Sequence, residues 1–283
     1  MPSARSEVGG AVLGRLLVVA GGFDRRETTP RVDALDAGSG TWRELAPLPE
    51  PRDHLALATL DGRLYAAGGV ILSRGAIRRD LWRYDEDADR WDALAPMPIA
   101  RYAHALVALD GRLWAVGGVT RGGDPGTMAV YDAATDAWST DVAALPQPRE
   151  HVAAVAADGL LWVLGGRVAA GNVATVDVYD PAADAWRGGP PMPTARSGHA
   201  AAVIDGVIHV TGGESVTDAD RGTIPEHEGL DPASGRWETW PPMLRGRHGM
   251  ASGVIEGRWI LAGGGPNPDF SVSDRVDAFL AGD

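Results

Sequence analysis

Apolar residues in this chain gather into short runs that return at a nearly fixed interval. Runs such as Leu64-Tyr65-Ala66-Ala67 and Leu113-Trp114-Ala115-Val116 follow the turns Asp61-Gly62 and Asp110-Gly111 and end on two glycines. The doublets are Gly21-Gly22, Gly68-Gly69, Gly117-Gly118, Gly165-Gly166, Gly212-Gly213 and Gly263-Gly264, at steps of 47, 49, 48, 47 and 51 residues. Short apolar runs punctuated by Asp-Gly and Pro read as strands joined by tight turns. The run before each doublet is apolar at successive positions, so both its faces are expected to be buried. Four runs per unit make one antiparallel sheet, and such a sheet must stack on its neighbours to cover its faces. The pattern predicts an all-β, six-bladed propeller in a single domain over 1–283, with units at 1–46, 47–96, 97–144, 145–191, 192–242 and 243–283.

Each unit carries further landmarks. An arginine stands 16 residues before each doublet: Arg5, Arg52, Arg101, Arg149, Arg196 and Arg247. An aspartate precedes a tryptophan by six residues in five units: Asp36/Trp42, Asp85/Trp91, Asp132/Trp138, Asp180/Trp186 and Asp231/Trp237. Pro-rich bends such as Pro96-Met97-Pro98 and Pro191-Met192-Pro193 lead to the next arginine, and Tyr179-Asp180-Pro181 marks a turn. In these elements the chain resembles the kelch-repeat family over almost its whole length. The resemblance implies a kelch β-propeller, a fold that serves both interaction modules and enzymes.

The segment Met1–Arg5 matches Met192–Arg196, so the first unit is expected to supply its own innermost strand. The last unit reaches Val276–Leu280 without a further Asp/Trp pair. A three-stranded final blade is therefore expected; a chain truncated relative to its natural product is the alternative.

Composition narrows the chemistry. The chain has no cysteine, which removes thiol nucleophiles, disulfides and Cys-ligated metals. It also sets aside the galactose-oxidase-like propellers, whose cofactor needs a cysteine. All 26 basic residues are arginine, so Schiff-base and P-loop chemistry are excluded. A net charge of −12 repels nucleic acids and anionic membranes at long range. Neither an apolar membrane span nor a signal peptide is visible, and a cytoplasmic monomer is expected.

Function is sought where the units stop matching. The doublet-to-aspartate distance varies as 15, 17, 15, 15 and 19, so the length variation lies mainly in one loop per blade. Those loops share a face with the arginine bends, and variable loops on a rigid scaffold commonly bind. Arg52, Arg101, Arg149, Arg196 and Arg247, with Arg5, either fork onto an acidic ligand at the mouth or bond carbonyls of a neighbouring blade. In kelch propellers that bind peptides, arginines at this bend contact acidic side chains, and Arg167 matches another such position. His54, His104, His151, His199 and His248 follow the arginines at unequal offsets, which reads as satisfied structural histidines rather than a symmetric metal ring.

The fifth loop, Glu214 to Glu228, is the longest. Glu214, Asp218, Asp220 and His227 are candidate ligands for Fe²⁺ or Mn²⁺, against a solvated acidic loop as the alternative. Its Gly-Gly-Glu-x3-Asp stretch is similar to the iron-binding loop of plant kelch proteins that redirect glucosinolate breakdown. Their third ligand falls where this chain has Gly222. Glu214 and Arg221 also bear a loose likeness to bacterial sialic-acid mutarotases. Tyr65, Trp114, Trp162 and the repeat tryptophans read as core. The favoured function is a binding module for an acidic small molecule or peptide at the arginine-rich mouth, with Glu214 and Arg167 among its contacts. The alternative is an enzyme, a sugar mutarotase or metal-assisted lyase, built on the fifth loop.

Overall fold

The structure, a computed structural model, describes residues 1–25, 27–121, 126–217 and 220–280, the side chain of Asp220 excepted. It is a six-bladed propeller of five four-stranded sheets and one three-stranded sheet. In the first blade Gly9–Leu13, Leu16–Ala20, Val32–Asp36 and Trp42–Leu45 pair antiparallel in chain order. Among the described residues the final blade holds three strands, Ala251–Ile255, Arg258–Ala262 and Val276–Leu280. The first strand of each blade is innermost and touches the first strands on either side, so Gly9–Leu13 meets both Ala56–Leu60 and Ala251–Ile255. Among the described residues the helical content is one 3-10 turn, Leu72–Arg74, and no helix is long and apolar enough to cross a membrane.

The continuous apolar runs are buried on both faces, as the sequence pattern requires. Leu17, Val18, Val19 and Ala20 have no exposed surface, and Leu64 and Ala66 repeat this in the second blade. Each of the leucines and valines among them is worth about 1.5–3 kcal/mol when fully buried. The Asp-Gly turns have both residues at positive φ (49° at Asp61, 73° at Gly62), the two-residue hairpin geometry that matches strand twist.

The glycine doublets fasten one blade to the next. The second glycine donates its N–H to the carbonyl of the following blade's repeat arginine, Gly69 to Arg101 at 2.9 Å and Gly118 to Arg149 at 3.0 Å. The circle closes by the same bond, from Gly264 to Arg5 at 2.8 Å. The repeat tryptophans also cross the seams. Trp91, Trp138, Trp186 and Trp237 donate their indole N–H to the carbonyls of Ala46, Ala95, Ala143 and Pro190 in the preceding blade.

The six repeat arginines are at most 3% exposed. Arg5, Arg101, Arg149, Arg196 and Arg247 each donate to the carbonyl of the first glycine of their own doublet. Arg5, Arg52, Arg149, Arg196 and Arg247 also pair with Asp33, Asp80, Asp177, Glu228 and Asp277 on the third strand or the loop before it. The expectation that Arg52, Arg101, Arg149, Arg196 and Arg247 face a ligand is therefore corrected. Strand ends at the doublets expose carbonyls that need donors, and a guanidinium supplies five. Burial pushes Arg101, whose partners among the described residues are carbonyls, down to about 10.

Candidate functional site

Two residues after each repeat arginine the backbone turns left-handed, at Glu7, His54, Ala103, His151, Gly198 and Gly249 with φ of 51–63°. Their carbonyls and amides join around the axis. His54 donates to Glu7, Ala103 to His54, His151 to Ala103, Gly198 to His151 and Gly249 to Gly198 at 2.8–3.0 Å, and Val8 completes the ring by donating to Gly249. This collar fixes three candidate side chains at the centre of the mouth: Glu7, His54 and His151. Residues one after the arginine pair with the residue after the doublet, which places Asp53 by Val70, Glu150 by Arg167 and Ser197 by Glu214.

Above the collar lies a cavity of about 300 Å³ lined by Glu7, His54, His151, Arg167, Glu214 and His248, among others. Its rim carries exposed apolar side chains, Phe270 (73% exposed) and Leu72 (40%), with Phe270 against Phe23 at 5.5 Å between ring centres.

The wall is a continuous network of charge. Glu7 Oε2 lies 3.3 Å from His54 Nε2, and Glu7 Oε1 lies 2.9 Å from His248 Nδ1. His54 Nδ1 meets Asp53 at 2.6 Å, and His151 Nδ1 meets Glu150 at 2.7 Å. Arg167 donates to Glu150 at 2.6 Å and to Glu214 at 3.1 Å, with its third nitrogen 3.3 Å from His151 Nδ1. Glu214 also accepts the Asp269 N–H at 3.0 Å.

Burial alone would disfavour charge here, but the partners overrule it. The His54 pKa is raised because Glu7, then Asp53, outweigh desolvation, and that of His248 is raised because Glu7 does the same. Glu7 is held below the usual carboxylate range, since His54 and His248 outweigh its burial. Glu150 is lowered to about 2, because His151 and Arg167 outweigh desolvation.

The candidate residues separate cleanly. Arg167 and Glu214 meet in the cavity. Arg221 lies at the rim, bonded to Asp269. Residues of the fifth loop form a hairpin, Glu214–Thr217 with Asp220–Thr223, and Asp218 lies outside the described residues. His227 does not join Glu214, which corrects its reading as a metal ligand beside that residue. It occupies strand His227–Asp231 and packs against His209, Trp240, Trp259 and Phe279 in the seam with the sixth blade. Burial lowers its pKa to about 4.

Sequence reasoning passed over Glu7, Asp53 and Glu150. The available signal was the pair of residues after each arginine, which reads Ser6-Glu7, Asp53-His54, Tyr102-Ala103, Glu150-His151, Ser197-Gly198 and His248-Gly249 in an otherwise constant frame. The histidine offsets carry meaning too. Those at one or two residues reach the cavity, whereas His104 and His199, at three, lie beneath the collar with no hydrogen-bond partner on the ring among the described residues.

A family model described as the Attractin/LZTR1 beta-propeller matches residues 17–265. Over 97% of its length the chain is 30% identical to the Kelch-like protein terF of Aspergillus terreus, of which it spans 64%. Over 24% of its length it is 39% identical to the influenza virus NS1A-binding protein homolog of Mus musculus, covering 11% of that protein. Among solved structures, YjhT aligns with a TM-score of 0.87 over 100% of this chain and 97% of its own, at 18% identity, which is a likeness of fold.

Proposed function

Since this chain belongs to the Attractin/LZTR1 beta-propeller family of kelch-type propellers, we propose that it is a binding module whose mouth cavity receives a small polar molecule or a protruding segment of a protein partner. The observation that supports this is one cavity in which buried acceptors, Glu7 and Glu214, and an accessible donor, Arg167, converge below an apolar rim. Such a pocket, with few polar groups fixed by a rigid frame, is the usual form of a recognition site. The relatives support a protein partner: one carries protein binding in its printed name.

The wall also refines the ligand's chemistry. An acidic group of the ligand reaches Arg167, the guanidinium that lines the cavity, while Glu150 and Glu214 already flank that residue. Four carboxylates, Glu7, Asp53, Glu150 and Glu214, stand on or just behind the wall. A ligand that pairs one carboxylate with hydroxyl or ammonium donors suits this wall; a polyanion does not. Ligand-observed NMR with glucuronate, glutamate and citrate tests the reading. Glucuronate or glutamate should bind in preference to citrate, and Arg167→Ala should abolish the signal while Arg63→Ala leaves it. Strongest binding by citrate, or binding indifferent to Arg167→Ala, would overturn it.

A further inference from the structure

The two histidines nearest the axis are arranged as ligands that already have their supporting groups. His54 and His151 each turn Nδ1 onto a carboxylate, Asp53 at 2.6 Å and Glu150 at 2.7 Å. A carboxylate on Nδ1 fixes that nitrogen as the donor and leaves Nε2 to act as the ligand atom, the support that metal-bound histidines nearly always have. Both carboxylates are themselves anchored. Asp53 is fully buried and accepts from the Thr28 hydroxyl, and Glu150 accepts from Arg167.

Glu7 faces the same point. Among the described residues, Glu7, His54 and His151 each offer a ligand atom within 4.8 Å of the others. The closest pair, His54 Nε2 and Glu7 Oε2, is 3.3 Å apart. Metal–ligand bonds of about 2.0–2.2 Å place neighbouring ligand atoms about 3–3.6 Å apart. That pair is thus already at coordination distance, and the widest pair needs a shift of about an ångström, within reach of side-chain rotation. His248 holds the other oxygen of Glu7 at 2.9 Å and orients the carboxylate. The collar of backbone hydrogen bonds sets the three Cα positions without any contribution from an ion.

We propose that Glu7, His54 and His151 form a binding site for one divalent first-row transition metal ion, with Asp53, Glu150 and His248 as positioning residues. Two imidazoles and one carboxylate on one side of an ion leave the cavity side open, a donor set suited to Zn²⁺ and Fe²⁺. The Arg167 guanidinium lies 3.3–3.5 Å from the His151 ring nitrogens, and Glu150 and Glu214 offset its charge. This site shares no ligand with the fifth loop and does not depend on which molecule the cavity receives. An ion there would counter the carboxylates of the wall and offer open positions to a ligand oxygen.

The test uses the untagged chain after dialysis against chelator. Titration calorimetry with ZnCl₂ should show one ion per chain, Co²⁺ should develop visible absorption bands, and Zn²⁺ should raise the thermal midpoint. Glu7→Gln and His151→Gln should each weaken Zn²⁺ binding by more than about 100-fold, and Asp53→Asn by about 10–100-fold. Asp85→Asn, on the outer part of the second blade, should change nothing. Midpoints without metal show that the variants fold. No saturable one-to-one binding by the wild-type chain, an unmoved wild-type midpoint, or undiminished binding in folded Glu7→Gln and His151→Gln would each overturn the proposal.

Discussion

At the scale of single residues, this fold places histidines of one type in two opposite electrostatic settings a residue apart. His54 and His248 gain carboxylate partners, so their contribution to stability is present below the ordinary histidine pKa and is lost as pH rises through their raised folded values. His104 and His199 gain none. Burial, with Arg101 and Arg196 adding repulsion, lowers each to about 3. For these the sign reverses: the unfolded chain takes up protons from about pH 6.5 downward while the folded protein does not, so stability falls with pH between about 6.5 and 3. Each such group steepens the decline by up to about 1.4 kcal/mol per pH unit. Urea denaturation of wild type and His199→Leu at pH 7, 5.5 and 4.5 measures this. The variant's curve should be flatter across that range, and parallel curves would mean that His199 already carries a proton in the fold.

At the scale of the repeated element, much was legible because one blade's constraints recur six times. The all-apolar run, the Asp-Gly turn and the doublet each state a local rule, and repetition separates the rule from chance. The arginines show the limit of that argument. Identical placement in all six units marks a residue that serves the blade, and burial beside Asp33, Asp177 or Glu228 is what such placement meant. The site escaped notice because it lies in positions that differ between units. Glu7, Asp53 and Glu150 become a network only after the ring brings residues 47 and 97 positions apart around one axis (Glu7 to His54, His54 to His151), and no local spacing encodes that. The glycines allow a direct test of the local rule. At Gly62 a Cβ meets nothing within 4 Å, so Gly62→Ala costs only the left-handed backbone, about 1–2 kcal/mol. At Gly69 a Cβ falls 2.9 Å from the Asp53 carbonyl oxygen and 3.0 Å from Leu55 Cβ, so the bend beside the site must shift. Gly69→Ala should cost about 2 kcal/mol or more beyond Gly62→Ala in urea denaturation, and equal costs would show that the doublet is not a close-packed seam.

At the scale of the whole molecule, the ring is symmetric in its inner strands and asymmetric at its edge. Four seams carry a tryptophan N–H bonded to the preceding blade: Trp91, Trp138, Trp186 and Trp237. Among the described residues the sixth blade has three strands and offers no such tryptophan to the fifth and no outer carbonyl to Trp42 of the first. The two affected seams are filled differently. Between the fifth and sixth blades, His227, Trp240, Trp259 and Phe279 form an aromatic cluster, with Phe279 and His227 at 4.5 Å. Between the sixth and the first, the outer contact is a bond from Arg258 to the Ala37 carbonyl, while inner packing through Leu17, Ala251 and Ile260 persists. The closing seam is thus secure at the axis, where Arg5 bonds Ser273 and Gly264, and thin at the rim. Local opening follows sparse burial and exposed backbone bonds. Hydrogen exchange under native conditions should therefore find Val276–Leu280 and Trp42–Leu45 exchanging faster than the outer strands Arg90–Leu94 and Ala185–Gly188. Gly9–Leu13, at the same seam but innermost, should exchange only with global unfolding. Protection at Val276–Leu280 equal to that at Arg90–Leu94 would show that the aromatic cluster alone makes up for the missing strand, and that the ring opens nowhere in preference.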